Sequence, residues 1–446
     1  MKVDPVLAGD IVVRALKGGA DQAEVFCKSY KNISVEVKDQ TVESLSSSFS
    51  SGYAVRVIKN SRMGFSFSTD IAEADRVIMR AIDASASVDA DPHLGLASPS
   101  LPSEVEIHDA TVRDLQEDDV IRMAMQIEKS AFGADSRIRR VRKPSASITV
   151  SETIIANSVG VQQRYEATSC SAQVTAIAES GTENQTGWDY RGSRFLKDLS
   201  PELVGATAAT AAVRLLGSRK IQGLKTDIIL DTAVAVDFLN VFAASLSSEA
   251  VQKGKSLLAN RLNTEVVSPT ITIMDSGLLP GRLGSKPFDD EGVATQSTAL
   301  IKDGTLRSYL YNTYTAKKGN ALSTGNAIRG GFSSLPMVGI TNLYLEPSSQ
   351  AACLPKDTLF RHMQNGLYVV DAMGIHTVNP ISGDFSIGVT GLWIENSEIA
   401  FPVKEAAISG NLLDFFRKVS AIGDDMRFYG NIGSPSLIIS DLDVSA

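Results

Sequence analysis

The chain is poor in the residues that most metal and disulfide chemistry requires. It has three cysteines, Cys27, Cys170 and Cys353, far apart and with no C-x-x-C spacing. An odd, sparse set in 446 residues argues against a disulfide framework and fits a reducing compartment. Each reads as a small core or surface residue rather than a nucleophile. Of the four histidines, His93, His108, His362 and His376, no two lie three to five residues apart. No helix can therefore present two imidazoles to one ion. His93 sits in a Pro-containing loop and the others stand singly among polar or turn residues, so they read as surface or locally hydrogen-bonded groups. No uninterrupted apolar run approaches the roughly 20 residues of a membrane span. Met1 to Pro5 carry no apolar leader core, and Asp10 and Arg14 interrupt the apolar residues beyond. A cytosolic chain with no membrane contact is expected. Serine is plentiful but no G-x-S-x-G elbow occurs, so Ser-His-Asp hydrolysis has no support.

Hydrophobic residues make up 43% of the chain and charged ones 21%, enough apolar material for large cores. The length suggests two or three domains. The net charge of −8 favours solubility and weighs against broad nucleic-acid binding.

Pro5 to Leu16 has helical spacing with Pro in the first turn and Gly18-Gly19 as a stop. Strand patterns follow at Glu24 to Tyr30, at Ile33 to Val37, at Gly52 to Ile58 and at Gly64 to Ser68. Asp75 to Ala86 is helical, and Ser87 to Ser103 is a Pro/Ser/Asp-rich connection. The plan then repeats. Leu115 to Phe132 predicts a helix, and Asn157-Ser158-Val159-Gly160 predicts a hairpin turn between Ile148–Ala156 and Val161–Glu179. Gly181 to Arg194, with Trp188 and Tyr190, reads as an exposed loop, and Pro201 to Leu216 as an Ala-rich helix. Composition shifts after Gly223. A strand at Asp227–Leu230 and a helix at Ala233–Ser247 precede β-rich sequence, with an Asp303-Gly304 turn between Thr298–Lys302 and Leu306–Tyr311. The reading is α+β: an N-terminal domain of antiparallel sheet with helices over 1–223, and a β-rich C-terminal domain over 224–446.

Three constellations could carry function. Asp289-Asp290-Glu291 could bind a cation or a peptide amino group, or orient a neighbouring subunit's loop; it could equally be a solvated turn whose carboxylates bond backbone amides. Ser323-Thr324-Gly325-Asn326-Ala327, followed by Arg329-Gly330-Gly331, lacks the Gly-Lys-Ser/Thr ending of a P-loop. It fits better as a flexible loop over a cleft, with Arg329 free to meet a carboxylate. Arg137 to Lys143 puts five basic residues in seven, which an edge strand protected by charge explains as well as a DNA contact does.

Set in order, Phe288-Asp289-Asp290-Glu291-Gly292, Ser323–Ala327, Ser382-Gly383-Asp384-Phe385, Gly391–Asn396, Phe401-Pro402-Val403 and Ser409-Gly410-Asn411 resemble the TldD/PmbA family. The resemblance implies a cytosolic two-subunit zinc metalloprotease that cuts unfolded or extended peptides, including peptide-antibiotic precursors and antitoxins, inside a hollow dimer. The family's metal-binding subunit carries His-Glu-x-x-x-His on a helix. Anchored on Lys253-Gly254-Lys255-Ser256, that motif falls at Leu239-Asn240-Val241-Phe242-Ala243-Ala244. The subunit's cysteine falls within Gly430 to Pro435, which has none. The chain therefore resembles the PmbA (TldE) type, with no catalytic or metal residues of its own and the zinc in a TldD-type partner. A heterodimer with that partner or a homodimer is implied, with Asp289, Asp290, Glu291, Gly292, Asn326, Arg329 and Asp384 as candidate substrate or partner contacts. The family's other label, modulator of DNA gyrase, leaves open a non-proteolytic interaction protein. An active hydrolase built on the acidic cluster is a third reading.

Overall fold

A computed structural model describes residues 4–445 of the chain. Met1, Lys2 and Val3, read above as part of an N-terminus without a leader core, lie outside the described residues. Helix α1 (Pro5–Lys17) starts where Asp4 accepts the Leu7 N–H at 2.8 Å, and Pro5 occupies a position that needs no N–H donor. It buries Ala8, Ile11, Val12 and Ala15 as one stripe. After it come β1 (Gln22–Lys38), β2 (Thr41–Lys59), β3 (Arg62–Ser68) and α2 (Ala74–Ser85). A second set repeats the plan: α3 (Ala110–Asp114), α4 (Glu117–Ala134), β4 (Ile138–Asn157), β5 (Gln162–Ser180), β6 (Glu183–Ser193) and α5 (Pro201–Val213).

The six strands form one antiparallel sheet in the order β3-β2-β1-β4-β5-β6. Strand alternation divides its faces. Val25 and Cys27 of β1 pack with α1 and α2, and Ile33, Val35 and Val37 pack with α4 and α5. Phe26 points to the opposite face, where it meets Ile155, Val161 and Phe288. One face thus carries helices and the other receives the C-terminal half of the chain.

Three expectations need correction. The two short strands before and after Tyr30 are one continuous β1; exposed Tyr30 and Lys31 mark where it passes from one helix pair to the other. Gly181 to Arg194 is not a loop but holds edge strand β6, whose buried positions Gly187 and Asp189 are not apolar and so hide the alternation. The basic run lies at the start of β4, an interior strand, yet Ile138 to Arg142 pair only with β5 because β1 has already ended. Charge therefore guards the one stretch of β4 that is an edge.

Among the described residues, two large sheets and a two-stranded one (Ala327–Ile328 with Met337–Val338) form from β7 (Leu224–Leu230) and the segments beyond α6 (Thr232–Ala243). The strands Asn365–Met373, Asp384–Glu395, Glu398–Asn411 and Leu437–Ser445 pair in sequence, and β7 joins the first to the last, so the ring closes. A second sheet centres on Ile271–Ser276 and Leu343–Pro347. Asp303 and Gly304 make the expected turn, both at positive φ, but its second arm is only Thr305–Leu306. Helix α6 buries Val234, Ala235, Val236, Phe238, Leu239 and Phe242 and packs against strands of both sheets. A helix apolar around most of its circumference has nowhere else to go. No helix among the described residues is long and apolar enough to cross a membrane.

Close packing of α4 on α5 depends on Gly205, where a Cβ would overlap the Ile127 carbonyl of α4. Gly205→Val should destabilise the chain by about 2 kcal/mol or more, since the backbone cannot yield cheaply. Gly133→Ala, with open space around it, should stabilise by about 0.4–1 kcal/mol. Urea midpoints of the two variants check both; equal midpoints would contradict the packing argument.

Candidate functional site

Antiparallel register sets Glu24 of β1 directly opposite Arg56 of β2, on the face turned away from the helices. Arg56 donates to Glu24 at 2.6 Å and to Glu291 at 3.1 Å. The second oxygen of Glu24 accepts from the Arg329 guanidinium. Arg329 also gives its Nε–H to the Asp290 carbonyl at 3.0 Å and its backbone N–H to the Asp290 carboxylate at 2.7 Å. Its plane lies over the Phe26 ring, 4.6 Å from the centroid. Lys286 closes the array on Asp290 at 3.0 Å. None of the six side chains is more than 12% exposed. Three cations face three anions, and that balance is what permits burial at all.

The turn that delivers the acids is built by Asp289. One carboxylate oxygen accepts the N–H groups of Glu291 at 2.9 Å and Val293 at 3.0 Å, and the other accepts that of Ala327 at 2.9 Å. Gly292 follows at φ +87°, which a side chain rarely adopts. Glu291 also accepts the N–H of Thr313 at 2.8 Å, tying the turn to the helix Thr313–Lys318. The Pro/Ser-rich connection crosses the same junction: the Ala294 N–H bonds Ser100 at 2.9 Å and the Ser103 hydroxyl bonds the Thr295 carbonyl at 2.7 Å.

The acidic triplet is therefore a turn, as one reading had it, but a buried one rather than a solvated one. The candidate contacts Asp289, Asp290, Glu291, Gly292, Asn326 and Arg329 are all interior, with their bonds made inside the chain. Arg329 does meet a carboxylate, but that of Glu24, and it is not free. Nor does Asn326 lie on a flexible loop. It donates to Asp275 at 2.7 Å and to the Gly339 carbonyl at 3.0 Å, while Asp275 also accepts the Thr341 N–H at 2.8 Å. Only Asp384 is exposed; it bonds Asn411 at 3.0 Å and shares no partner with the others. Sequence reasoning missed Glu24, Arg56 and Lys286. The signal was available for two of them: Ala23-Glu24-Val25-Phe26 and Val55-Arg56-Val57 each place one charge inside an apolar strand run.

Helix α6 and its capping residue Ala244 hold the stretch that the resemblance aligns with His-Glu-x-x-x-His. Leu239 and Phe242 are fully buried there, while Asn240 and Ala244 are exposed. Phe238 stacks on Phe415 at 4.3 Å and meets Phe385 edge-on at 5.3 Å. The strand Ile432–Ser434, from the segment aligned with the family's cysteine, packs against the same helix. Neither segment offers an imidazole or thiolate, so the residues present do not fit a zinc ion. Among the described residues no group of three or more His, Cys, Asp or Glu side chains could hold a metal ion.

Comparison with known proteins covers almost the whole chain. Models of the PmbA/TldA metallopeptidase match in three parts: domain 1 at residues 23–87, the central domain at 110–216 and the C-terminal domain at 223–446. The metalloprotease PmbA of Escherichia coli O157:H7 is 30% identical over 436 residues, 96% of this chain and 93% of that protein. A crystal structure from Thermotoga maritima, labelled a modulator of a DNA gyrase, superposes with a TM-score of 0.91 at 27% identity, covering 99% of both chains. TldE from Thermococcus kodakarensis shares the fold, with a TM-score of 0.89 at 19% identity over 99% of this chain and 100% of that one.

Two predictions follow from the buried charges. Arg329→Met should cost about 3–5 kcal/mol, because Glu24 keeps a buried charge with one partner fewer; adding Glu24→Gln should recover part of that loss. Chemical denaturation of the single and double variants measures both, and a double variant no more stable than Arg329→Met would count against the array. The second concerns pH. Burial, then the Glu291 charge, push Asp289 up to about 7, and burial pushes Asp275 up to about 6 against the bonds from Thr341 and Asn326. Both folded values exceed the unfolded one, so the folded chain holds extra protons between about pH 4 and 7. These two groups should make stability fall as pH rises through that window, with the loss complete above about pH 7. Asp289→Asn should flatten the fall in urea midpoint between pH 5 and 8; an unchanged slope would refute the assignment.

Proposed function

The chain belongs to the PmbA/TldD metallopeptidase family, and from that premise we propose that it serves as the PmbA/TldE-type subunit of a two-subunit metallopeptidase. In this reading it encloses and positions unfolded or extended peptides, and a TldD-type subunit carries the zinc and the cleavage chemistry. The observation that carries the reading is α6. Where the family's metal subunit has its helix-borne ligands, this chain has Leu239 and Phe242 facing a hydrophobic core and Asn240 and Ala244 facing outward. A general base and two imidazoles cannot be supplied from such a face. What the chain offers instead is sheet surface. Extended peptides can pair with a strand edge irrespective of their sequence, and among the described residues the outer edge of β2 from Thr41 to Gly52 has no strand partner, β3 pairing only with Tyr53 to Lys59.

The test is metal analysis and a peptidase assay on the purified chain, alone and with a TldD-type subunit. The chain alone should hold no stoichiometric zinc and cleave nothing. Mixed with the zinc-bearing subunit it should give cleavage that a chelator abolishes. Chelator-sensitive cleavage by the chain alone would overturn the reading. Binding to gyrase with no partner-dependent cleavage would replace it with the interaction-protein reading.

A further inference from the structure

A cavity of about 740 Å³ opens between the edge of the N-terminal sheet and the closed ring of strands. Its walls come from β6, the outer face of α5, the start of α6 and the strands around Tyr368 and Phe401. Three large apolar side chains on its lining stand in water: Trp188 at 42% exposure, Leu203 at 46% and Ile399 at 50%. Apolar groups gathered at one mouth in this way mark surface that a ligand would cover.

The charged groups of the lining are unequal. Asp189 is held by Arg427 and Arg191. Asp231 caps α6 and accepts the Tyr368 hydroxyl. Asp425 accepts from Ser436 at 2.8 and 2.9 Å and meets Lys356 at 3.1 Å. Burial holds the Asp371 carboxyl above the usual carboxylate range. Asp189, Asp231 and Asp425 are thus already committed. Arg214 is held least: its nearest carboxylate oxygen, on Asp231, is 4.0 Å away, its side chain is one-third exposed, and its Nε has no hydrogen-bond partner among the described residues. The terminal nitrogens of a guanidinium take a carboxylate through two parallel bonds. Its other face is occupied, lying over the Tyr368 ring at 5.8 Å.

We propose that this cavity binds the carboxy-terminal end of a peptide, with an apolar terminal side chain against Trp188, Leu203 and Ile399 and the terminal carboxylate on Arg214. That the carboxylate belongs to a peptide rests on the function proposed above; the preference for an apolar carboxylate rests on the cavity alone. Trp188 makes the site its own reporter. The chain has two tryptophans, and only Trp188 lines the cavity.

The test titrates the chain alone with N-acetyl-Ala-Ala-Phe as the free acid and as the amide, reading tryptophan fluorescence. The acid should give a saturable change, and the amide should bind at least about tenfold more weakly. Arg214→Met should lose at least about tenfold for the acid while leaving the amide unchanged. Thr210→Phe, on the exposed face of α5 at the cavity wall, should block both without changing the urea midpoint. Absence of saturation up to millimolar acid, equal binding of acid and amide, or undiminished binding by Arg214→Met would each overturn the proposal. Because neither zinc nor a partner subunit enters this titration, its failure beside intact partner-dependent cleavage would strike the cavity and spare the protease reading.

Discussion

The joint between the N-terminal sheet and the rest of the chain turns on one cross-strand pair, Glu24 and Arg56. Neither could stay buried alone. Arg56 needs Glu291 as well as Glu24, and Glu24 needs Arg329 as well as Arg56, so the pair recruits charges from segments more than 200 residues away in sequence. Desolvating six charges is expensive, and their mutual attraction repays it only when every member is in place. The array is therefore all-or-none. It fixes which face of the sheet the C-terminal half may cover and in what register it lies. A second tie works on the same principle with neutral acceptors: half-buried Arg194, just past β6, donates to the carbonyls of Arg282, Leu283 and Ser285.

Helix α6 shows how packing fills the segment that the resemblance aligns with the metal motif. The Ser382-Gly383-Asp384-Phe385 segment sends Phe385 onto Phe238, and Phe415 stacks on the same ring. Phe242 meets Phe416 at 5.1 Å. These rings fill the space along the helix with apolar surface. Restoring a polar ligand at 239 would bury an unsatisfied donor in that cluster, at a cost of a few kcal/mol. The helix has become part of the core.

Much of the fold was legible because its signals are local. Asp4-Pro5 and Gly18 bound α1, Gly160 closes the β4–β5 hairpin, and Asp303-Gly304 turns the chain at positive φ. Strand β6 was illegible because its inward positions are Gly187 and Asp189, chosen for the close approach of α5 and for a salt bridge rather than for apolarity. The acidic triplet was visible as a cluster but not as a buried one. A sequence lists charges without their partners: Lys286 lies only four residues from Asp290, but Arg329, Arg56 and Glu24 are brought to the triplet by tertiary pairing. Arg214 gave no signal at all, since an unpartnered Nε exists only once a cavity wall surrounds it.

This bears on what the motifs can tell. Asp289-Asp290-Glu291-Gly292, Asn326 and Arg329 carry the family resemblance, yet each is consumed in holding the chain together. Residues spent on the joint serve the scaffold of this chain, and their bonds are made within it. Their presence therefore identifies the scaffold and is silent on chemistry. Discrimination must come from positions the fold leaves free, which is why Asn240 and Ala244 on the outer face of α6, and Arg214 at its cavity, say more about function than the residues that first revealed the family.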